Sequence, residues 1–191
     1  MTAAVDLYWI PLGAGGHLVR FNGKVYERLV AWRERRPPLD LYHAALVVTV
    51  PEGRFAIEST PVPDSSGHER GVVAGGSVGS RRAGAFRIFR YEVRCWRDGV
   101  IPDLAWAVES PRRLTDDEIM ARRVLEVAPL LPTPVWGRDE LGTGEMWNSN
   151  SIVGWLLARA GFDMPGVGMP KNGRAPGWDA GVLVAGRPGG R

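Results

Sequence analysis

Two short stretches of this sequence carry groups that could do chemistry together. Trp147-Asn148-Ser149-Asn150-Ser151 leads a short apolar run, and Tyr42-His43-Ala44-Ala45-Leu46 opens a β-branched one. A serine hydroxyl is a weak nucleophile until a base takes its proton. At a helix N-terminus it sits beside unpaired backbone N–H groups and a partial positive charge. Such N–H groups can hold the oxyanion of a tetrahedral intermediate, an effect of about 3 kcal/mol per donor. His43 would be the base, and Glu58 on the next apolar segment would fix its tautomer and stabilise the imidazolium. The chemistry this trio points to is acyl transfer, with Ser149 attacking, His43 relaying the proton and Glu58 orienting the ring. Each residue has a structural reading as well: a helix cap for Ser149, a strand-start position for His43, an exposed hairpin carboxylate for Glu58.

The neighbours of Ser149 extend the candidate site. Asn148, Asn150 and Trp147 are candidate substrate-binding residues, and Asn150 or Ser151 could either donate to an oxyanion or serve the first helical turn. Trp147 and Trp136 could line a cleft or simply fill the core.

These groups need elements to hold them. Residues 6–12 read as a strand and 13–16 as a Gly-rich turn. Asn22 can cap a helix over 23–33, which Pro37-Pro38 ends. The β-branched run 41–50 is the strongest strand; Pro51-Glu52-Gly53 turns it into a second strand over 54–60, a hairpin. With the turn centred there, position 43 faces about position 60, so Glu58 is a diagonal neighbour of His43 on the same face. Residues 61–84 read as a loop or a weak edge hairpin. Residues 85–96 alternate Phe86, Ile88, Tyr91 and Val93 with arginines and Glu92, the pattern of a strand with one solvated face. A short strand is expected over 104–108, and Thr115 with Glu118 suggests a capping box before a helix ending near 128. After a Pro/Gly loop over 129–144, Asn148 or Ser149 caps a helix that Gly161 stops. Residues 178–185 read as a last strand. The expected architecture is α+β, an antiparallel sheet with helices packed on it, in one domain over 1–185 with a tail at 186–191.

The order of these motifs resembles the circularly permuted papain-like amidases, the group of permuted NlpC-type hydrolases and lecithin:retinol acyltransferase relatives. Their pattern runs from a His on a strand to a polar orienter on the next strand, often Glu in an Ile-Glu step, and then to Asn-Cys-x-x-Phe opening a helix. Here His43, Ile57-Glu58 and Asn148-Ser149 occupy those places, and Arg70-Gly71-Val72 is similar to a Gly-Val step found there. The resemblance covers 41–73 and 147–161. It implies a papain-like fold with His43 as base, Glu58 as orienter and Ser149 in the nucleophile position. The departure is chemical: the family nucleophile is Cys, and a thiol ionises far more readily than an alcohol. The resemblance therefore implies either a serine version of the thiol enzyme or a scaffold that binds a peptide or acyl group without turnover.

Composition sets the outer bounds. With 191 residues, 45% of them hydrophobic, the chain can bury a single-domain core, and its 25 Gly and 15 Pro anticipate many turns. A net charge of +3 and the short Arg33, Arg35, Arg36 run at a helix end do not suggest a nucleic-acid partner. The lone Cys95 excludes an internal disulfide and Cys-pair zinc sites, and its strand context reads as structural. His17, His43 and His68 lack ligand spacing, so no metal or other cofactor is expected. The N-terminus lacks the features of a signal peptide and no apolar run is long enough to span a bilayer, so the expected location is the cytoplasm. Gly75-Gly76-Ser77-Val78-Gly79 fits the form of a nucleophile elbow, but a strand follows it and every histidine precedes Ser77. Gly13-Ala14-Gly15-Gly16 lacks the rest of a phosphate loop. The substrate, whether small molecule, lipid or peptide, is not written in any motif. The eight Trp residues and the Gly/Pro-rich loops also admit a structural or assembly role.

Overall fold

Strand β2, Asp40–Val50, is the spine of the sheet. Its even positions, from Ala44 through Val50, face one apolar cluster, while Ala45 and Val47 face another. A strand this apolar on both sides belongs in the middle of a sheet covered on both faces. The computed structural model, which describes residues 2–13, 32, 35, 37–62 and 71–187, puts it there. β1 (Ala4–Pro11) pairs antiparallel on one side, and β3 (Gly53–Pro61) on the other through a two-residue turn that sets Val50 opposite Gly53. With β4 (Val72–Ser77), β5 (Arg90–Arg97) and β6 (Val108–Thr115), the order is β4-β5-β3-β2-β1-β6. A two-residue β7, Gly173–Arg174, lies parallel to the start of β2. The expected helix over 23–33 lies outside the described residues, as do His17, His68 and Arg70.

The helices cover one face of the sheet, making the fold α+β. α1 spans Glu118–Val127, α2 Ser149–Ala160 and α3 Trp178–Ala185. Val5, Leu7 and Trp9 of β1, Leu46 and Val48 of β2 and Ile57 of β3 meet Val124 of α1 and Ile152, Leu156 and Leu157 of α2 in the main core. Each such side chain contributes about 1.5–3 kcal/mol on burial. The other face carries a smaller cluster of Ile10, Ala45, Val47 and Ala56. Ile101 and Leu104 lie over it, at and just before the 3-10 turn Pro102–Trp106. Among the described residues no helix is long and apolar enough to cross a membrane.

Four local expectations are corrected. Residues 178–185 form helix α3, not a strand. It leaves Gly177 in the left-handed region, at φ 86°, and lays Trp178 on Trp9, ring centroids 5.1 Å apart. Gly154 and Gly181 let it press against α2: a Cβ at 181 would lie 2.0 Å from the Ser151 carbonyl oxygen. β5 starts only at Arg90, because two 3-10 turns occupy Ala83–Ala85 and Arg87–Phe89, leaving Phe86 and Ile88 exposed. The stretch 104–108 is mostly the Pro102–Trp106 turn. α1 is capped by Asp117, whose Oδ1 accepts from the Ile119 and Met120 N–H groups, while Thr115 Oγ1 accepts from the Asp117 N–H.

Candidate active site

β2 and β3 are zipped from Val50 and Gly53 as far as Leu46 and Ile57. Beyond that point the β3 continuation stays paired to β5 while β2 stays paired to β1. The unpaired β2 edge is met by a side chain. Asn150 Oδ1 accepts from the Ala44 N–H at 2.8 Å, and Asn150 Nδ2 donates to the Tyr42 carbonyl at 3.0 Å. The amide thus stands in for a neighbouring strand, satisfying two backbone groups that would otherwise be buried and unpaired. Those two groups belong to the residues on either side of His43. β7 continues the edge at Asp40 and Leu41.

Ser149 is the first residue of the helix that this clasp anchors. The start of α2 is over-determined. Asn148 adopts an extended backbone, and its Oδ1 accepts from the Asn150 and Ser151 N–H groups. In return, Ser151 Oγ accepts from the Asn148 N–H, completing a capping box. Asn148 Nδ2 and Asn150 Nδ2 both donate to the Pro176 carbonyl. Gly177 packs so closely that a Cβ there would lie 2.7 Å from Asn148 Oδ1. With Asn148 Oδ1 engaging those two donors, the first-turn N–H it leaves is that of Ser149 itself. Ser149 is half-buried, and among the described residues its hydroxyl has no hydrogen-bond partner. Both Asn148 and Asn150 commit their amides to this frame. Trp147 is buried in the main core. Its indole N–H approaches the Tyr91 hydroxyl but completes no hydrogen bond, and Tyr91 gives its own proton to the Pro134 carbonyl.

His43 lies opposite Ile10 of β1, on the sheet face of Ala45 and Val47. Strand alternation sends Glu58 to that same face, in step with Ala56, but the β2–β3 ladder ends at Leu46 and Ile57, short of both residues, so no strand pairing sets Glu58 against His43. α2 packs on the other face. The structure therefore puts His43 and Glu58 on one sheet face and Ser149 at the start of the helix packed on the other, tied through Asn150 to the backbone flanking His43, with no hydrogen bond between Ser149 and His43 among the described residues.

A second acid lies on this face. Asp103, in the Pro102–Trp106 turn over the second face, acts electrostatically on both His43 and Glu58. Burial lowers the His43 pKa below the ordinary histidine value, and the Asp103 charge pulls it partly back up. At neutral pH the ring is thus unprotonated, the form a base requires. Burial raises the Glu58 carboxyl; Arg94, directly across on β5, opposes this and Asp103 adds to it. Arg94 is itself bonded to the buried Glu92 at 2.7 Å and lies over the Trp96 ring. Nothing in Ile101-Pro102-Asp103-Leu104 marks Asp103 as a neighbour of His43, because the approach exists only once the turn docks on the sheet. Asn150 was legible as polar and helix-initial but not as a strand surrogate.

Cys95 packs against the main core on the helix face, and burial pushes its thiol up to about 11, away from nucleophilic use. Among the described residues no group of three or more His, Cys, Asp or Glu side chains could hold a metal ion. No family model, no curated protein and no solved structure matches this chain.

Proposed function

We propose that the chain is an acyl-transfer hydrolase of amide, thioester or ester bonds, built on a permuted papain-like scaffold, with Ser149 as nucleophile, His43 as base and Glu58 as orienter. The observation that supports this most is the Asn150 clasp, which ties the first turn of α2 to the backbone on both sides of His43. Asn150 follows Ser149 directly, so the lock fixes the start of the helix against the strand that carries His43. Among the described residues the alcohol and the Ser149 N–H have no partner, and the imidazole is held neutral by burial. In the reaction, His43 takes the Ser149 proton as Oγ attacks the carbonyl. It returns that proton to the leaving group, and water then releases the acyl chain by the same route. Site hydrogen bonds that are open before substrate arrives commonly close in the complex.

A second reading, a non-catalytic module that binds a peptide or acyl group on the same scaffold, is favoured by the placement of His43 and Glu58 on the face opposite α2. Serine-directed fluorophosphonate labelling of the purified chain separates the two. The catalytic reading expects labelling that disappears in both Ser149→Ala and His43→Ala. If the folded wild-type protein is not labelled and shows no esterase activity across pH, while Ser149→Cys gains thiol reactivity or amidase activity, the binding module stands instead.

A further inference from the structure

The segment joining β4 to β5 holds three large apolar side chains out in solvent. Phe86 is 66% exposed, Ile88 79% and Phe89 45%. The same ten residues carry Arg81, Arg82, Arg87 and Arg90, all exposed. The apolar groups are not loose ends. Val78 N–H donates to the Phe89 carbonyl at 2.8 Å across the base, Phe86 and Phe89 each close a 3-10 turn, and Ser80 Oγ accepts from the Ala83 N–H. Arg81 is bonded to Glu140 and Arg138 to the Gly79 carbonyl, fixing the flank. A built platform that displays adjacent apolar groups is a recognition surface rather than a packing failure.

We propose that residues 81–90 form a docking element for an anionic bilayer surface. Phe86, Ile88 and Phe89 would enter the headgroup boundary while Arg82 and Arg90 meet lipid phosphates and carboxylates with their stems lying along the apolar side chains. Charge complementarity selects this occupant. A second copy of the chain would bring the same positive patch face to face with itself, which is repulsive. A nucleic acid would prize aromatic stacking, yet the most exposed apolar residue is the aliphatic Ile88. The platform stands where Tyr91 pairs with Pro61, the end of the sheet that also carries Glu58 and His43. The proposal does not rest on the acyl-transfer reading.

The test is co-sedimentation of the full chain with vesicles of phosphatidylcholine alone and of phosphatidylcholine containing phosphatidylserine, at low and high salt. Binding should require phosphatidylserine and weaken with salt. Ile88→Ser should lower the partition coefficient by about tenfold or more, and Arg82→Gln by about fivefold. Leu183→Ser, at an exposed leucine on α3 away from this segment, should leave it unchanged. These positions are solvent-exposed, so matched melting temperatures will show the variants folded. The proposal is overturned by any of four results: no sedimentation with phosphatidylserine vesicles at low salt, equal binding to phosphatidylcholine alone, equal losses in Ile88→Ser and Leu183→Ser, or displacement from vesicles by a short single-stranded oligonucleotide.

Discussion

The residue that decides whether this surface can do chemistry is His43. Its ring is buried among apolar neighbours, which favours the neutral form, and Asp103 is the charge that partly restores the protonated one. The sign of a test follows. Replacing Asp103 with Asn removes the anion that stabilises imidazolium, so the His43 pKa should fall further below the ordinary histidine value. NMR titration of the C2 proton, assigned by its loss in His43→Gln, measures this directly. A midpoint that stays put would show that Asp103 does not act on the ring. If the chain turns over substrate, the acid limb of its kcat/KM profile should move to lower pH in Asp103→Asn by the same amount. At Ser149 the comparison of alcohol and thiol is informative. Ser149→Cys should react with iodoacetamide faster than wild-type Cys95, whose thiol burial holds up to about 11.

At the scale of elements, the hydrogen bonds from α2 to β2 come, among the described residues, from the single side chain of Asn150. Asn150→Leu would leave the Ala44 N–H and the Tyr42 carbonyl without partners. Each orphaned group costs about 1–3 kcal/mol, so urea denaturation should show a loss of about 2–5 kcal/mol. Asn150→Asp keeps the acceptor for Ala44 but sets a carboxylate against the Tyr42 and Pro176 carbonyls, and should be no better. Gly181→Ala presses a methyl group into the Ser151 carbonyl and should cost about 1–3 kcal/mol or more; an unchanged midpoint would mean that α3 is free to slide on α2.

The same elements explain what could be read in advance. The β2–β3 register followed from a turn at Pro51 and Glu52 between two apolar runs, a local signal with one geometric answer. The ends of α2 were legible to within a residue: the sequence offers Asn148 or Ser149 as the cap and Asn148 takes the role, while Gly161 stops the helix in the left-handed region at φ 96°. α3 was not legible, because an eight-residue run whose one charge is Asp179 is too short and apolar to show a period that separates helix from strand; its helical state is settled by the Gly154 and Gly181 contacts with α2. Phe86 and Ile88 alternate like strand residues but lie outside the ladder. The position of Asp103 over His43 is a tertiary fact with no local trace.

At the scale of the whole molecule the two sheet faces do different work. Among the described residues, one carries nearly all the large apolar side chains under α1, α2 and α3, while the other mixes a thin apolar layer with His43, Glu58, Glu92, Arg94 and Asp103. Charges at half-buried positions cost stability unless something uses them, and the cost has a pH signature. The folded-state pKa of Glu58 is raised, chiefly by burial. Its stability contribution is therefore fully present below the ordinary glutamate range and is lost as pH rises through the folded value, so at neutral pH the buried carboxyl opposes folding. His43 is shifted the other way: as pH falls through the ordinary histidine value, the unfolded chain takes a proton that the folded chain refuses, and stability drops on that side. Glu58→Gln should thus raise the melting temperature at pH 7 by a few degrees, with the gain vanishing once the medium is acidic enough to protonate the wild-type carboxyl in both states. A Glu58→Gln protein that is less stable at pH 7 would mean that the Arg94 contact outweighs burial and that the carboxylate serves the fold. A variant that is more stable but loses fluorophosphonate labelling or esterase activity would identify a carboxylate kept for its function against its cost to folding, the trade expected where a protein places chemistry on the weaker of its two faces.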